Sequence, residues 1–309
     1  MKTFHFTTVV SLGYIYKFLA MQESLERHCN NYQLFALCVD REVYTILKRM
    51  SIKNITVLKA SDFENGNLLS AKNNRNYHEY CWTLKPYILN YVMNTYKDAK
   101  YFAHVDADLF FYSDPEEIIR ENTSAALFLT DHNNSEKFMH CYETSGIYNT
   151  GFVCCRNDKN AYSAVEWWLN KCLEKCTLIA NVEEGLYGDQ KYVESWPVLF
   201  KNVHVVKSMG ANVAQWNVEG FCVKEKDGKV YINKDKLIFY HFSGLSILSN
   251  NEFNLATFNK MDESPLNLIY MPYIINLVNQ IKLIDKMFPG FDASFTERKY
   301  VNFVHYMKI

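Results

Sequence analysis

Apolar residues along this chain alternate between two rhythms. Lys2–Val10, Tyr32–Val39 and Ile55–Leu58 are short apolar runs of strand length. Between them, Gly13–His28 sets Ile15, Leu19 and Leu25 at helical spacing, and Val43–Met50 reads as a second helix. Strands and helices in strict alternation predict an α/β fold, a mostly parallel sheet with helices on both faces. Right-handed crossovers then bring the strand ends to one edge. Ser61–Asn76 is polar and Asn-rich and reads as a loop or a broken helix. Tyr80–Tyr96 is helical in pattern despite Pro86, and Lys100–Val105, Ala125–Leu129 and Tyr148–Cys155 are further strands. Asp114-Pro115 has the form of a helix start through Arg120. Ala161–Cys176 is a helix carrying Trp167 and Trp168, Gly188–Ser195 opens another, and Leu237–Tyr240 is a late strand. Pro265–Phe288 places Leu266, Ile269, Tyr273, Leu277, Ile281 and Ile284 on one helical face, which predicts a C-terminal helix packed on the core. The pattern shows no linker. The chain is expected to divide into a main domain, residues 1–250, and a helical extension, residues 251–309.

Composition narrows the function classes. Over 309 residues the net charge is −1, which argues against a nucleic-acid partner. No run of about 18 apolar residues occurs, so no transmembrane segment is expected. The start, MKTFHFTTVV, lacks the long apolar stretch of an export signal. Nine cysteines without paired C-x-x-C spacing are expected to be reduced, buried thiols in a cytoplasmic protein. The 22 Tyr, 21 Phe and 5 Trp supply bulk for a core and faces on which sugars and bases stack.

The candidate chemistry centres on Tyr101–Asp114, where an apolar strand runs into Asp106 and Asp108. The D-x-D spacing itself is close to chance in a chain with 14 aspartates. Its place at a strand end of an open α/β sheet is the informative part, because ligands bind there. Alternate residues of an extended chain face one way, so both carboxylates can face one ion. Open hard-oxygen ligands suit Mg2+ or Mn2+; the competing reading is a solvated turn. His241, in Tyr240-His241-Phe242-Ser243-Gly244, ends a strand and is a candidate third ligand or a core histidine. Asp189 and Gln190 are candidates for holding sugar hydroxyls or for capping. Asn149-Thr150-Gly151 offers hydrogen bonds and a close backbone approach. Arg75 and Lys85 could neutralise phosphates or be surface charges. Trp216, among amides, suits a sugar face or the core.

In this order the motifs resemble those of metal-dependent GT-A glycosyltransferases, in particular family-8-type enzymes of the glycogenin and bacterial lipopolysaccharide kind. The likeness runs from Phe4 to about Gly244. It implies a Rossmann-like sheet and assigns the ion, Mn2+ or Mg2+, to Asp106, Asp108 and His241. It assigns the donor to Asp106, Asn149, Thr150, Gly151 and Gly244, and the reaction centre to Asp189 and Gln190. Thr7, Thr8 and Tyr14, from the first strand and the turn after it, would cradle the base. Two departures stand out. The Lys-Pro-Trp that usually follows H-[FY]-x-G is replaced by Leu245-Ser246-Ile247, so phosphate binding would fall to another residue such as Lys85. Trp82 stands near where an arginine is usual. The implied activity is transfer of a sugar from a UDP-sugar to a hydroxyl of a glycan or lipid-linked acceptor, with retention, in bacterial surface polysaccharide synthesis. The implied place is the cytoplasm or the inner face of the membrane. The alternatives are a haloacid-dehalogenase-type phosphatase, which also uses D-x-D after a strand, and a non-catalytic sugar-binding protein.

Overall fold

A computed structural model of the chain describes residues 2–309. Its centre is a seven-stranded sheet built from β1 (Lys2–Val10), β2 (Tyr32–Cys38), β3 (Ile55–Lys59), β4 (Ala99–Val105), β6 (Leu127–Asp131), β7 (Tyr148–Arg156) and β8 (Val203–Val205). The order is β3-β2-β1-β4-β7-β6-β8. The pairs β3–β2, β2–β1, β1–β4 and β6–β8 are parallel, while β7 runs antiparallel to both neighbours. The mixed, mostly parallel sheet expected from the alternation is therefore present. Boundaries moved in places. The strand expected at Ala125–Leu129 lies two residues later, and the polar stretch after Ser61 contains a helix, Gly66–Asn73.

The alternation of strand side chains sends one set to each face. On one face Phe4, Phe6, Leu34, Ala36, Tyr101 and Ala103 pack with the helices Ile15–His28, Arg41–Met50 and Met271–Met287. On the other, Phe35, Leu37, Phe102, Leu127, Val153 and Cys155 pack with the helices Tyr77–Thr95 and Lys159–Glu174. The helix Tyr77–Thr95 starts at Asn76, whose side chain accepts from the Glu79 N–H while the Glu79 carboxylate accepts from the Asn76 N–H. This reciprocal cap fixes the first turn. All nine cysteines are free thiols, six of them buried. No helix among the described residues is long and apolar enough to cross a membrane.

The late strand expected at Leu237–Tyr240 is present as Phe239–His241, and two other short strands complete the site edge with it. β5 (Leu109–Phe111) and β9 (Val213–Ala214) flank β13 (Phe239–His241) in a small second sheet. Between them β10 (Val223–Lys226), β11 (Lys229–Ile232) and β12 (Asp235–Lys236) form an outlying antiparallel sheet. The C-terminal segment supports β13 and the residue after it: the Tyr270 hydroxyl meets that of Tyr240 at 2.8 Å, and Tyr273 of the helix Met271–Met287 stacks on Phe242 at 3.7 Å. A π-helical turn, Leu266–Tyr270, precedes that helix.

Gly210 anchors the approach to β13. Its carbonyl accepts from Ile238 at 2.8 Å, and a Cβ there would lie 1.8 Å from the Lys236 carbonyl oxygen. The neighbour is backbone and cannot rotate aside. Gly210→Ala is therefore expected to cost about 1–3 kcal/mol through overpacking. Urea unfolding measures this, and wild-type stability in the variant would contradict the packing account.

Candidate active site

The D-x-D turn is gripped on two sides by backbone. β4 ends at Val105, and the Asp106 N–H donates to the Gly151 carbonyl of β7 at 2.8 Å. Three residues later β5 pairs with β13, placing Leu109 opposite His241. The Phe242 N–H donates to the Asp108 carbonyl at 2.9 Å. Residues 106 and 241, distant in the chain, are thus held together by strand pairing. One ligand atom from each of Asp106, Asp108 and His241 lies within 4.8 Å of the others. His241 Nε2 is 3.2 Å from Asp108 Oδ1 and 3.9 Å from Asp106 Oδ2.

The histidine tautomer is set from behind. Asn149 Oδ1 accepts from the Gly151 N–H at 2.9 Å, which fixes which end of the amide is oxygen. The same oxygen lies 3.2 Å from His241 Nδ1, so Nδ1 carries a proton. A cation taken at Nε2 would replace the proton that Nε2 shares with Asp108 Oδ1, and the lone pair would then face two carboxylates. Three acceptors converging on one point fit a hard divalent cation, and the N–H···O=C bond behind the ring is the usual support of a metal-binding histidine. The space for the ring depends on glycine: a Cβ at 151 would lie 2.7 Å from His241 Cε1. The β6–β7 pairing jumps from Leu129–Val153 to Thr130–Asn149, and this irregularity aims Asn149, Thr150 and Gly151 at the site.

Lys85, from the helix Tyr77–Thr95, bridges two acids. Its Nζ is 2.8 Å from Asp106 Oδ2 and 3.8 Å from Asp189 Oδ1. Burial works against the lysine's charge, but Asp106 and then Asp189 outweigh it and hold its pKa above the usual lysine range. Burial also raises the Asp106 pKa, yet Lys85, His104 and His241 together hold it below the carboxylate range. Asp108 is lowered as well, since His241 and then Lys17 overcome its burial. Asp189 goes the other way: burial dominates and raises it, although Thr150 Oγ1 donates to Oδ2 at 2.7 Å. Its backbone carbonyl accepts from buried Trp168 Nε1 at 2.8 Å, which fixes the turn.

These groups line a cleft of about 850 Å3. Tyr14, Lys85, Asp106, Asp108, Asn149, Asp189, Gln190, His241 and Gly244 all face it, and so does Trp216, edge-on to His241 at 5.5 Å. Thr150 and Gly151 lie behind this layer, buttressing Asp189 and His241. Three expected donor residues lie elsewhere. Thr7 and Thr8 are fully buried within β1, and Val9 and Ser11 reach the cleft in their place. Arg75 gives its guanidinium to the Cys172 and Leu173 carbonyls at the end of the helix Lys159–Glu174, where it ties two helices together.

Sequence reading passed over three polar groups. His104 sits fully buried in β4, 3.2 Å from Asp106 Oδ1. Lys17 is buried and donates to the Leu245 carbonyl at 2.7 Å, bracing the loop after His241. His132 donates Nδ1–H to the Ile147 carbonyl at 3.0 Å, and burial pushes its pKa down to about 4, so it presents a neutral Nε2 to Asn149. The signal available was a polar residue inside an otherwise apolar strand, which marks His104; His132, one residue past β6 in a polar run, showed no such signal.

No protein-family model matches the chain. It is 48% identical over 310 residues to YfnD, an uncharacterized protein of Bacillus subtilis (strain 168), with full coverage of both chains. It is 31% identical to YfnF of the same strain over 294 residues, covering 93% of this chain and 96% of that one. Among solved structures it is similar to the galactosyltransferase LgtC in complex with donor and acceptor sugar analogs, with a TM-score of 0.52, 10% identity, and 78% and 87% of the two chains covered. It is similar also to the bifunctional glycosyltransferase WbbM, with a TM-score of 0.53 and 11% identity, over 92% of this chain and 52% of that one. The sheet and cleft described above thus have the fold of the GT-A glycosyltransferases, and the chain belongs to the family of YfnD and YfnF.

Proposed function

We propose that the chain is a metal-dependent glycosyltransferase that moves a sugar from a nucleoside diphosphate donor, UDP-linked, to a hydroxyl of a glycan or lipid-linked acceptor. The observation that carries this is the convergence of Asp106, Asp108 and His241 on one point of the cleft. Its charge balance supports the same reading. Lys85 is the only lysine or arginine lining the cleft among the described residues, and Asp106 and Asp189 already engage it. A diphosphate brought in among three acids needs a further cation.

Asp106, Asp108 and His241 would hold Mn2+ or Mg2+, and the bound ion would supply Lewis-acid compensation for charge on a departing diphosphate. The other roles belong to the chain. Tyr14 and Ser11 face the nucleoside end, where an aromatic ring suits a base. Asn149 and Gly244 line the donor path. Asp189, held by Thr150 and near Lys85, would face the anomeric carbon as positive character develops there, with Gln190 beside it. Gln190 is held in that place by its Nε2, which donates to the Ser145 carbonyl at 2.7 Å. The anomeric configuration of the donor is retained. Residues 1–250 would form the catalytic unit, and residues 251–309 would brace it through the helix beneath β13 and through the strands Glu252–Asn254 and Tyr306–Lys308, which extend a small sheet from Ser246–Ser249. The reaction serves bacterial surface polysaccharide synthesis at the cytoplasmic face of the membrane.

Asp108→Asn should lower UDP-sugar turnover by about 100-fold or more, as loss of one charged contact to the transition state does, with little change in melting temperature. Wild-type turnover in that variant, or equal UDP affinity in EDTA and in Mn2+ by calorimetry, would remove the metal reading. NMR of the product from an α-linked donor should show an α linkage, and a β linkage would overturn retention.

Lys85→Met leaves Asp106 and Asp189 buried without their shared cation and should cost about 3 kcal/mol at pH 7. The pH dependence has a definite sign. Asp106 has a lowered pKa in the fold, so it contributes stability above its unfolded pKa that is lost as pH falls through the folded value. Without Lys85 that contribution shrinks, and both acids protonate more readily. The deficit should therefore narrow below about pH 4. Denaturant unfolding at the two pH values tests this, and a deficit independent of pH would refute it.

A further inference from the structure

We propose that His104, backed by Thr7, is a positioning residue that sets which oxygen of Asp106 is offered to the cation; the proposal rests on the metal reading above. Thr7 and His104 are direct partners in the β1–β4 register, so their side chains share one face of the sheet. Phe35, Phe102 and Val153 supply the apolar neighbours on that face, with buried His5 further along it. His104 is fully buried there, and a polar ring in such a place costs free energy unless both nitrogens are satisfied. Both are. Nδ1 lies 3.3 Å from Thr7 Oγ1, and Nε2 lies 3.2 Å from Asp106 Oδ1.

The protons follow from the partners. An ionised carboxylate only accepts, so Nε2 carries the hydrogen and donates to Oδ1. In the neutral ring, Nδ1 then accepts from the Thr7 hydroxyl. This chain of donors, Thr7 to His104 to Asp106, points one way and fixes the tautomer. It also occupies Oδ1. The oxygen left toward His241 is Oδ2, 3.9 Å from its Nε2. Lys85 lies on that same Oδ2, at 2.8 Å. Without His104, the carboxylate is free to rotate about its terminal bond and give Lys85 both oxygens, which draws it away from Asp108. An apolar side chain would fill the slot in β4 but leave Asp106 Oδ1 and Thr7 Oγ1 without this partner. A histidine there supplies orientation rather than packing.

The test uses the full chain and Mn2+ alone as probe, with free Mn2+ followed by electron paramagnetic resonance. His104→Leu should raise the Mn2+ dissociation constant about 10–100-fold, the range seen when a group behind a metal ligand is removed. Its melting temperature should fall only modestly, because Thr7 Oγ1 keeps the Ala103 carbonyl and Asp106 keeps Lys85. His104→Gln, which can return an N–H to Asp106, should recover part of the loss. Thr7→Val should weaken binding in the same direction by a smaller factor, and it decides the matter if His104→Leu does not fold. Unchanged Mn2+ affinity in His104→Leu, or in a folded Thr7→Val where His104→Leu fails, overturns the positioning role alone. A wild-type chain that binds no Mn2+ overturns the metal reading, and this proposal with it.

Discussion

Asp106 and Asp108 stand one residue apart at the floor of a cleft, and like charges held that close in a poorly solvated place repel strongly. Every nearby element answers this repulsion. The helix Tyr77–Thr95 delivers Lys85 to Asp106, β13 delivers His241 to Asp108, and β4 itself supplies His104. Lys17, from the first helix, adds charge near Asp108 and braces the loop behind His241. The result is that both acids stay ionised in spite of burial. A pair of carboxylates kept charged by so many partners is arranged to meet a cation, since a protonated or solvated pair would need none of them.

Much of this was legible in the sequence, and for physical reasons. The strand–helix alternation that gives β1 to β3 is a pattern of periods 2 and 3.6, which a single chain displays. The strand leading into Asp106 is a short apolar run, and His241 ends another. What could not be read is which long-range partner each polar group meets. Lys85 was visible as a possible phosphate ligand, but helical spacing does not tell whether a lysine reaches outward or across to a strand. Arg75 looked equivalent and proved to tie two helices. Thr7 and Thr8 sit at the right end of the right strand, yet the first turns to His104 and the second into the core. β5 and β9 are three and two residues long, too short to show a period, and they pair with β13 where His241 meets the aspartates.

The two acids that share Lys85 are pushed in opposite directions. Asp106 lies 2.8 Å from the ammonium with a histidine on its other oxygen, and its charge is favoured. Asp189 lies a further ångström away, deeper, with one hydroxyl donor, and burial prevails. Environments that separate two carboxylates in this way give them different work. Asp106 suits permanent charge compensation. In the proposed reaction Asp189 would meet positive character that arises only as the sugar departs, where its charge would be better stabilised than before.

The shared lysine also bears on the absent Lys-Pro-Trp after Gly244. A cation already engaged by two buried acids is a weak grip for a third anion, since each pair it forms must be broken or stretched to make another. Lys85 can relieve the floor of the cleft, but it has little left for a diphosphate. With no other lysine or arginine among the described residues facing the cleft, the proposed donor would depend on the ion at Asp106, Asp108 and His241 more heavily than it would beside a free lysine. The loop after Gly244 is held from below, by Lys17 on the Leu245 carbonyl. Lys17 is turned inward, and although burial works against its charge it orders the protein rather than the substrate.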